Sequence, residues 1–247
     1  MRKAALILTA IAAIISGCRD NSGVRGYWSS RALSIEDYPA AEEEFANFAE
    51  LAVQAPEADA FAAVDMLLDK ASKDEVTYLV YSDLILRAFG LLASPCYSGP
   101  IFIHAADKIL SQGVVDAYTA NQFEKRREFL LHNKVGDKAE IPELLDVNDQ
   151  SFQFPLVQRT LFLVVDQACP SCTAAMSHFF STEWKDDWLV ALCCGKGPLP
   201  IEPGWDCYRL PYSQTIFDTH EAPFFFVTAP DGTVEKSYTS AHDDSIL

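Results

Sequence analysis

Apolar residues recur at the spacing of an α-helix through the first part of the chain, from residue 26 to about residue 134. Residues 76–92 are apolar nearly all round, as expected of a buried central helix. Thr119 and Gln122 have the spacing of a capping box and predict the start of the last helix. The pattern as a whole predicts an all-helical bundle of about five helices, joined by short connections, over residues 35–134.

The pattern changes at residues 135–137, where helical spacing gives way to short apolar runs separated by turn residues. These runs predict strands at residues 152–154, 161–165, 188–193, 224–227 and 233–238. A helix is predicted from Cys172 to about Phe180, between the second and third of these strands. The order of strand, helix, strand and closing hairpin predicts an α/β domain with a mixed sheet over residues 135–247.

The N-terminus has the pattern of an export signal. Two basic residues precede an apolar run, residues 4–15, which is too short to span a bilayer because a span needs about 20 apolar residues. The run ends in Ile15-Ser16-Gly17-Cys18, which resembles the lipobox of bacterial lipoproteins. This resemblance implies a signal peptide over residues 1–17, lipid attachment to Cys18 and a linker over residues 18–34. The alternative is an ordinary signal peptide with a chance cysteine.

Composition and charge narrow the functional classes. The chain has 19 basic and 35 acidic residues, a formal net charge of −16, and 49% hydrophobic residues. This hydrophobic fraction suits packed cores. The acidity argues against nucleic acid as a partner, because phosphate binding needs a basic face. It also argues against docking on anionic lipid headgroups by charge, which leaves acyl chains as the expected membrane anchor.

The candidate chemistry lies where the buried strand at residues 161–165 meets the helix that follows it. Cys169 and Cys172 are separated by two residues, so their thiols can close a small disulfide ring. At a helix start, unpaired N–H groups and the helix dipole stabilise a thiolate. Cys169 is therefore the predicted nucleophile. Cys172, one turn further on and more buried, is the predicted resolving thiol.

Residues 135–240 resemble the thioredoxin-like, redoxin-type domain of periplasmic thiol–disulfide oxidoreductases. The resemblance rests on Asp166 three residues before Cys169, on the CxxC motif, on Pro223 and on the turn at Asp231-Gly232. No tryptophan precedes Cys169, and Ser171 replaces a proline that is common before the second cysteine. These two departures leave the direction of the redox reaction open.

The helical half is similar, mainly by pattern, to a helical domain of unknown function that precedes such domains in Bacteroidota lipoproteins. Gly26-Tyr27-Trp28, the break at Ser94-Pro95 and residues 129–136 carry that similarity. Together the two resemblances imply a thioredoxin-like fold, a mixed central sheet flanked by helices, preceded by the helical bundle.

The resemblance also implies how a substrate would bind. It implies a cis peptide bond before Pro223, where an ordinary trans proline opening a strand would otherwise be the simpler interpretation. The loop would then lie beside Cys169, with the Ala222 backbone able to pair with an extended substrate. Pro170 and Ser171, between the two cysteines, complete the expected substrate contacts.

Three functional classes remain open from the sequence. The favoured one is a thiol–disulfide oxidoreductase of the cell envelope that exchanges electrons with protein thiols and disulfides. The second is a non-catalytic binding or scaffolding lipoprotein in which the CxxC forms a structural disulfide. The third is a metal-handling protein that uses the CxxC with a cluster of further cysteines, Cys193, Cys194 and Cys207.

The remaining cysteines and the cellular location complete the expectations. Cys207 either forms a structural disulfide with Cys193 or Cys194, or all three are buried thiols like the one expected at Cys96. No cofactor and no resident metal are predicted, and attached haem is excluded because Thr173 stands where CxxCH needs histidine. Arg19 is not the aspartate that retains lipoproteins at the inner membrane, so the outer membrane is the expected location.

Overall fold

A computed structural model describes residues 23–166, 169–181, 188–194, 206–211 and 216–241. Five α-helices come first: α1 (Tyr38–Gln54), α2 (Glu57–Ala71), α3 (Glu75–Ile85), α4 (Gly99–Gln112) and α5 (Ala117–Leu131). None of the helices in the described ranges combines the length and the apolar character needed to cross a membrane. The predicted signal peptide and Cys18 lie outside the described residues.

Side-chain caps explain where four of these helices begin. The side chains of Asp37, Asp74, Ser98 and Asp116 each accept a hydrogen bond from an amide in the first turn of the helix that follows. Such caps satisfy backbone donors that have no partner within the helix. The capping-box prediction at Thr119 was therefore wrong, since Asp116 accepts from the amides of Tyr118 and Thr119 and α5 begins earlier.

Part of the segment predicted as a linker belongs to the core of the helical half. Tyr27 and Trp28 are buried, and the Trp28 ring packs edge-on against Phe48 and Tyr81 at centroid distances of 5.2 and 5.8 Å. Lys70 of α2 holds the segment in place, because its Nζ donates to the carbonyl oxygens of Trp28 and Arg31 at 2.5 and 2.8 Å. Tyr27 and Trp28 thus belong to the core of the bundle rather than to a linker.

In the described part of the second half there are seven strands and one further α-helix. The strands are β1 (Leu144–Leu145), β2 (Ser151–Phe152), β3 (Arg159–Val165), β4 (Trp188–Cys194), β5 (Asp206–Arg209), β6 (Phe224–Thr228) and β7 (Val234–Ser240), and the helix is α6 (Pro170–Ser181). They form one sheet in the order β2-β1-β5-β4-β3-β6-β7. Strands β3, β4 and β5 are parallel, and the other neighbouring pairs are antiparallel, so the sheet is mixed as predicted.

The two faces of the sheet are covered by different parts of the chain. Because side chains alternate along a strand, Phe162 and Val164 of β3 join the core of the helical half, whereas Leu161, Leu163 and Val165 pack beneath α6. On the first face, Phe129 of α5 stacks on Tyr238 of β7 at a centroid distance of 4.4 Å. The helical half and the sheet therefore share one continuous core.

We expect Phe129→Ala to lower the free energy of unfolding of the whole chain by about 3–5 kcal/mol, because it leaves a cavity in this shared core. Phe129 is 2% exposed. Tyr118→Ala is the matched control on the same helix, since Tyr118 is 72% exposed and its loss should change stability by less than about 0.5 kcal/mol. Urea unfolding followed by far- and near-ultraviolet circular dichroism should show one transition. Two transitions, with only the first shifted, would contradict a shared core.

Candidate functional site

The CxxC motif lies where β3 leads into α6. Strand β3 ends at the buried Val165, and α6 begins at Pro170, directly after Cys169. Proline suits this first helical position because its missing N–H would have had no partner there. The Cys169 carbonyl accepts hydrogen bonds from the amides of Cys172 and Thr173, at 3.1 and 3.4 Å. These bonds form the first turn of the helix, so the Cys169 side chain projects from its N-terminus.

The two thiols of the motif lie in different environments. Cys169 is partly exposed, whereas Cys172, on the face of α6 that packs on the sheet, is fully buried. Burial raises the pKa of Cys172 to about 12, although the Asp166 amide donates to its sulfur at 3.3 Å and partly opposes the effect. The pKa of Cys169 is instead lowered, first by the Ser171 hydroxyl and less by hydrogen bonds from Cys172. Of the two thiols, Cys169 is therefore the one placed to react as a thiolate.

Ser171 has a contact that the sequence did not predict. Its Oγ lies 2.8 Å from Cys169 Sγ. A thiolate carries no proton, so the hydroxyl must be the donor whenever Cys169 is ionised. A hydrogen bond to the charged form lowers a pKa. The sequence placed Ser171 among the substrate contacts and as a departure from reductive relatives, whereas the structure places it against the nucleophilic sulfur.

The loop before β6 completes the surroundings of Cys169. The Ala222–Pro223 peptide bond is cis, as predicted. Ala222 is partly buried, and its carbonyl oxygen lies 3.9 Å from Cys169 Sγ. Val164 near the end of β3 pairs with Phe224 at the start of β6, which brings this loop and the CxxC to the same edge of the sheet.

A buried ion pair behind this loop was missed by the sequence analysis. Arg126 of α5 is 5% exposed, and its Nη2 lies 3.0 Å from Oε2 of Glu221, the residue before Ala222. Burial lowers the pKa of Arg126, and Glu221 opposes that shift. A signal was present in the sequence: Phe123, Arg126 and Phe129 recur every third residue, which places an arginine on the apolar stripe of α5.

The other cysteines form neither a disulfide nor a metal cluster within the part of the chain that the structure describes. None of the six described cysteines is in a disulfide bond, which leaves Cys207 unlinked to Cys193 or Cys194. Burial raises the pKa of Cys96 and of Cys193, so both are poor nucleophiles. No group of three or more His, Cys, Asp or Glu side chains in the described ranges is arranged to hold a metal ion.

Comparison with solved structures defines the fold. A crystal structure of a thioredoxin-like protein from Bacteroides caccae superposes with a TM-score of 0.71 at 14% identity, over 98% of this chain and 96% of that one. The chain has a thioredoxin-like fold. The match extends over nearly the whole chain, so it includes the helical half, and the predicted fold class is confirmed.

Two further solved structures cover less of the thioredoxin-like chain. The C-terminal domain of an uncharacterized protein from Bacteroides fragilis is 14% identical over 42% of this chain and 89% of that one, with a TM-score of 0.35. A putative electron transfer protein from Aquifex aeolicus is 13% identical over 46% of this chain and 92% of that one, with a TM-score of 0.33. No family model matches the sequence, and no curated protein is detectably similar to it.

We expect Cys169 to be alkylated by iodoacetamide at least roughly 100-fold faster than Cys172 near pH 7, because a pKa of about 12 leaves Cys172 almost without thiolate. Ser171→Ala should raise the pKa of Cys169 and slow its alkylation at mildly acidic pH, since the thiolate loses a donor. Ser177→Ala is the control, because that hydroxyl bonds only within the helix, to the Thr173 carbonyl. Mass spectrometry of timed samples gives both rates, and equal rates for the two thiols would refute the assignment.

Proposed function

We propose that this protein is a thiol–disulfide oxidoreductase of the cell envelope, with Cys169 as attacking thiol and Cys172 as resolving thiol. The observation that carries the proposal is the difference between the two sulfurs. One is partly exposed, hydrogen-bonded by Ser171 and located at a helix start, and the other is buried with a strongly raised pKa. A purely structural disulfide would not need such different thiols.

In the proposed reaction, the Cys169 thiolate attacks one sulfur of a substrate disulfide. A mixed disulfide forms, and the other substrate sulfur leaves as a thiolate that takes up a proton. Cys172 then loses its proton and attacks the Cys169 sulfur, which forms the Cys169–Cys172 disulfide and releases the second substrate thiol. Two electrons pass to the substrate, and the same steps in reverse oxidise a substrate dithiol.

The substrate proposed for this site is an extended polypeptide that carries a cysteine. The Ala222 carbonyl faces the nucleophilic sulfur at 3.9 Å, so a backbone lying along the loop would bring its own sulfur to Cys169. Pro170 and Ser171 are proposed to contact the same segment from the helix side. The acidic chain argues against nucleic acid, and the chemistry requires neither a cofactor nor a metal.

We expect Cys172→Ser to retain Cys169-linked mixed disulfides with envelope proteins, because no resolving thiol remains to release them. Non-reducing electrophoresis and mass spectrometry of the purified variant identify the partners. Cys169→Ser should lose exchange with insulin disulfides, whereas Cys96→Ser, a change at a buried cysteine of the helical half, should keep it. If Cys169→Ser still exchanges disulfides, Cys169 is not the nucleophile; if the wild type exchanges none, the binding or scaffolding class becomes the better interpretation.

The direction of exchange is set by the redox potential of the Cys169–Cys172 couple. No positive side chain stands between the two cysteines, so we expect a potential toward the thioredoxin end of the range of about −120 to −270 mV. Equilibration with defined ratios of reduced and oxidised glutathione measures it. A potential near that of the strongest oxidants would assign the protein to disulfide formation instead.

We further propose that Cys18 carries lipid and holds the protein at the outer membrane. Ile15-Ser16-Gly17-Cys18 supports the lipid, and Arg19 supports the outer membrane. Cys18→Ala should yield an unprocessed or soluble form, because acyl chains provide the expected anchor. Mass spectrometry of the mature N-terminus and membrane fractionation test this. A mature chain that begins elsewhere and carries no lipid would exclude the proposal.

A further inference from the structure

Glu221, the residue before Ala222, has its side chain anchored in the helical half. Residues Thr219–Glu221 form one short 3₁₀ turn, capped by the Asp218 side chain, which accepts the His220 amide at 3.0 Å. The Ala222 amide closes the turn on the Thr219 carbonyl at 3.3 Å. The Glu221 side chain leaves this turn on the side of the bundle, where its Oε2 accepts the Leu92 amide at 3.3 Å and meets Arg126.

Arg126 is held on its other side by the helical half alone. Its Nε donates to the carbonyl of Gly90, at the end of a π-helical turn, Leu86–Gly90, that follows α3. Its guanidinium also lies over the ring of Phe129, 4.8 Å from the centroid. A larger residue does not fit at Gly90, because a Cβ there would lie 2.8 Å from the Phe102 ring of α4. The arginine is thus held by the Leu86–Gly90 turn and by Phe129 of its own helix before it reaches Glu221.

The ion pair between Arg126 and Glu221 is largely buried. The Arg126 side chain is 5% exposed and that of Glu221 is 15% exposed, so both charges have lost most of their water. A buried ion pair adds little net stability compared with apolar residues of similar size, but it fixes the relative positions of its two partners when the geometry is rigid. Neither Nη atom of Arg126 makes a hydrogen bond within the described residues, so Glu221 is held by charge, while the Nε bond to Gly90 fixes the guanidinium.

We infer that Arg126 and Glu221 are positioning residues, through which the helical half sets the Ala222–Pro223 loop against Cys169. The chain of contacts is short. Arg126 touches Glu221, Glu221 is bonded to Ala222, and the Ala222 carbonyl lies 3.9 Å from the Cys169 sulfur. The inference rests on the proposed function, in which an extended substrate lies along this loop. Through this positioning, the helical half contributes to substrate binding.

Three variants of the full chain separate positioning from stability. Glu221→Gln keeps the shape and an acceptor for the Leu92 amide but removes the charge. The double variant Arg126→Met with Glu221→Met removes both charges and so leaves neither one buried without a partner. Arg127→Gln is the matched control, because it breaks an exposed ion pair with Asp107 from the next position on α5.

The readouts are the urea midpoint, alkylation of Cys169 by iodoacetamide, and the kinetics of disulfide exchange with insulin and with oxidised glutathione. For insulin, we expect kcat/KM to fall about 10- to 100-fold in Glu221→Gln and in the double variant, mainly through KM, because a misplacement of about 1 Å is enough for such a loss. Alkylation and exchange with glutathione, which need no extended backbone contact, should stay within about twofold of the wild type. The control should match the wild type in every assay.

Each outcome decides a different point. If the double variant is as stable as the wild type and exchanges insulin disulfides equally well, the pair does not position the loop and the inference is overturned. If exchange and stability fall together in both variants and alkylation slows in step, the role is structural only and the inference is again overturned. If the wild type exchanges neither disulfide, the proposed function fails, and the inference falls with it.

Discussion

The candidate site depends on the antiparallel register of β3 and β6. Val164 lies opposite Phe224, so the last residues of β3 and the first residues of β6 meet at one edge of the sheet. Cys169 follows the end of β3 at Val165 by four residues, and Ala222 and Pro223 come directly before β6. A slip of one residue would exchange the two faces of either strand, and would move Phe162 and Val164 out of their core. Core packing therefore fixes the distance between the nucleophile and the loop.

The helical bundle acts as the covering layer for one face of the sheet. Helix α6 covers the opposite face and begins within the CxxC. The redox motif therefore lies on the side of the sheet that the bundle does not cover. The bundle reaches the chemical edge along α5, from Phe129 against Tyr238 to Arg126 against Glu221, and through the Leu92 amide, which donates to Glu221. Phe129 secures the sheet through apolar contact, which is not directional. Arg126 reaches the loop through its charge, and its Nε hydrogen bond to the Gly90 carbonyl holds the guanidinium in place.

The features that the sequence predicted are those with a local signal. Helical periodicity and end signals are contained within a few turns, and they predicted the five helices of the first half and the helix after Cys169. Strand β3 was predicted for the same reason, as an apolar run between turns. The short strand β1 was not predicted, because its two residues become a strand only through pairing with β2 and β5. The start of α5 was misplaced because Asp116 and Thr119 both have capping chemistry, and the choice depends on which side chain the backbone can reach.

The unpredicted parts of the site and core depend on contacts between distant residues. Trp28 was assigned to a linker because nothing beside it in the sequence shows that α1 and α3 supply aromatic partners. Ser171 was recognised only by its position, because the orientation of its hydroxyl toward Cys169 follows from how α6 begins. Glu221 and Arg126 belong to different halves, and only the packing of α5 on the sheet brings them together. The position of the two cysteines at the start of α6 was therefore predictable from the motif, whereas the contacts around them required the fold.

The difference between the two thiols also orders the proposed exchange. Burial is the main reason that the pKa of Cys172 is high, and the nearby Cys169 sulfur, as a hydrogen-bond partner and as a charge, raises it further. When Cys169 enters a mixed disulfide, the negative charge on its sulfur disappears, whereas the burial of Cys172 between α6 and the sheet remains. Cys172 therefore becomes easier to ionise only after a substrate is attached. In the proposed exchange, burial thus keeps the resolving thiol inactive in the free protein, and the loss of the Cys169 charge favours its attack at the second step. Cys169, with the Ser171 hydroxyl beside it, is the thiol that would start the reaction.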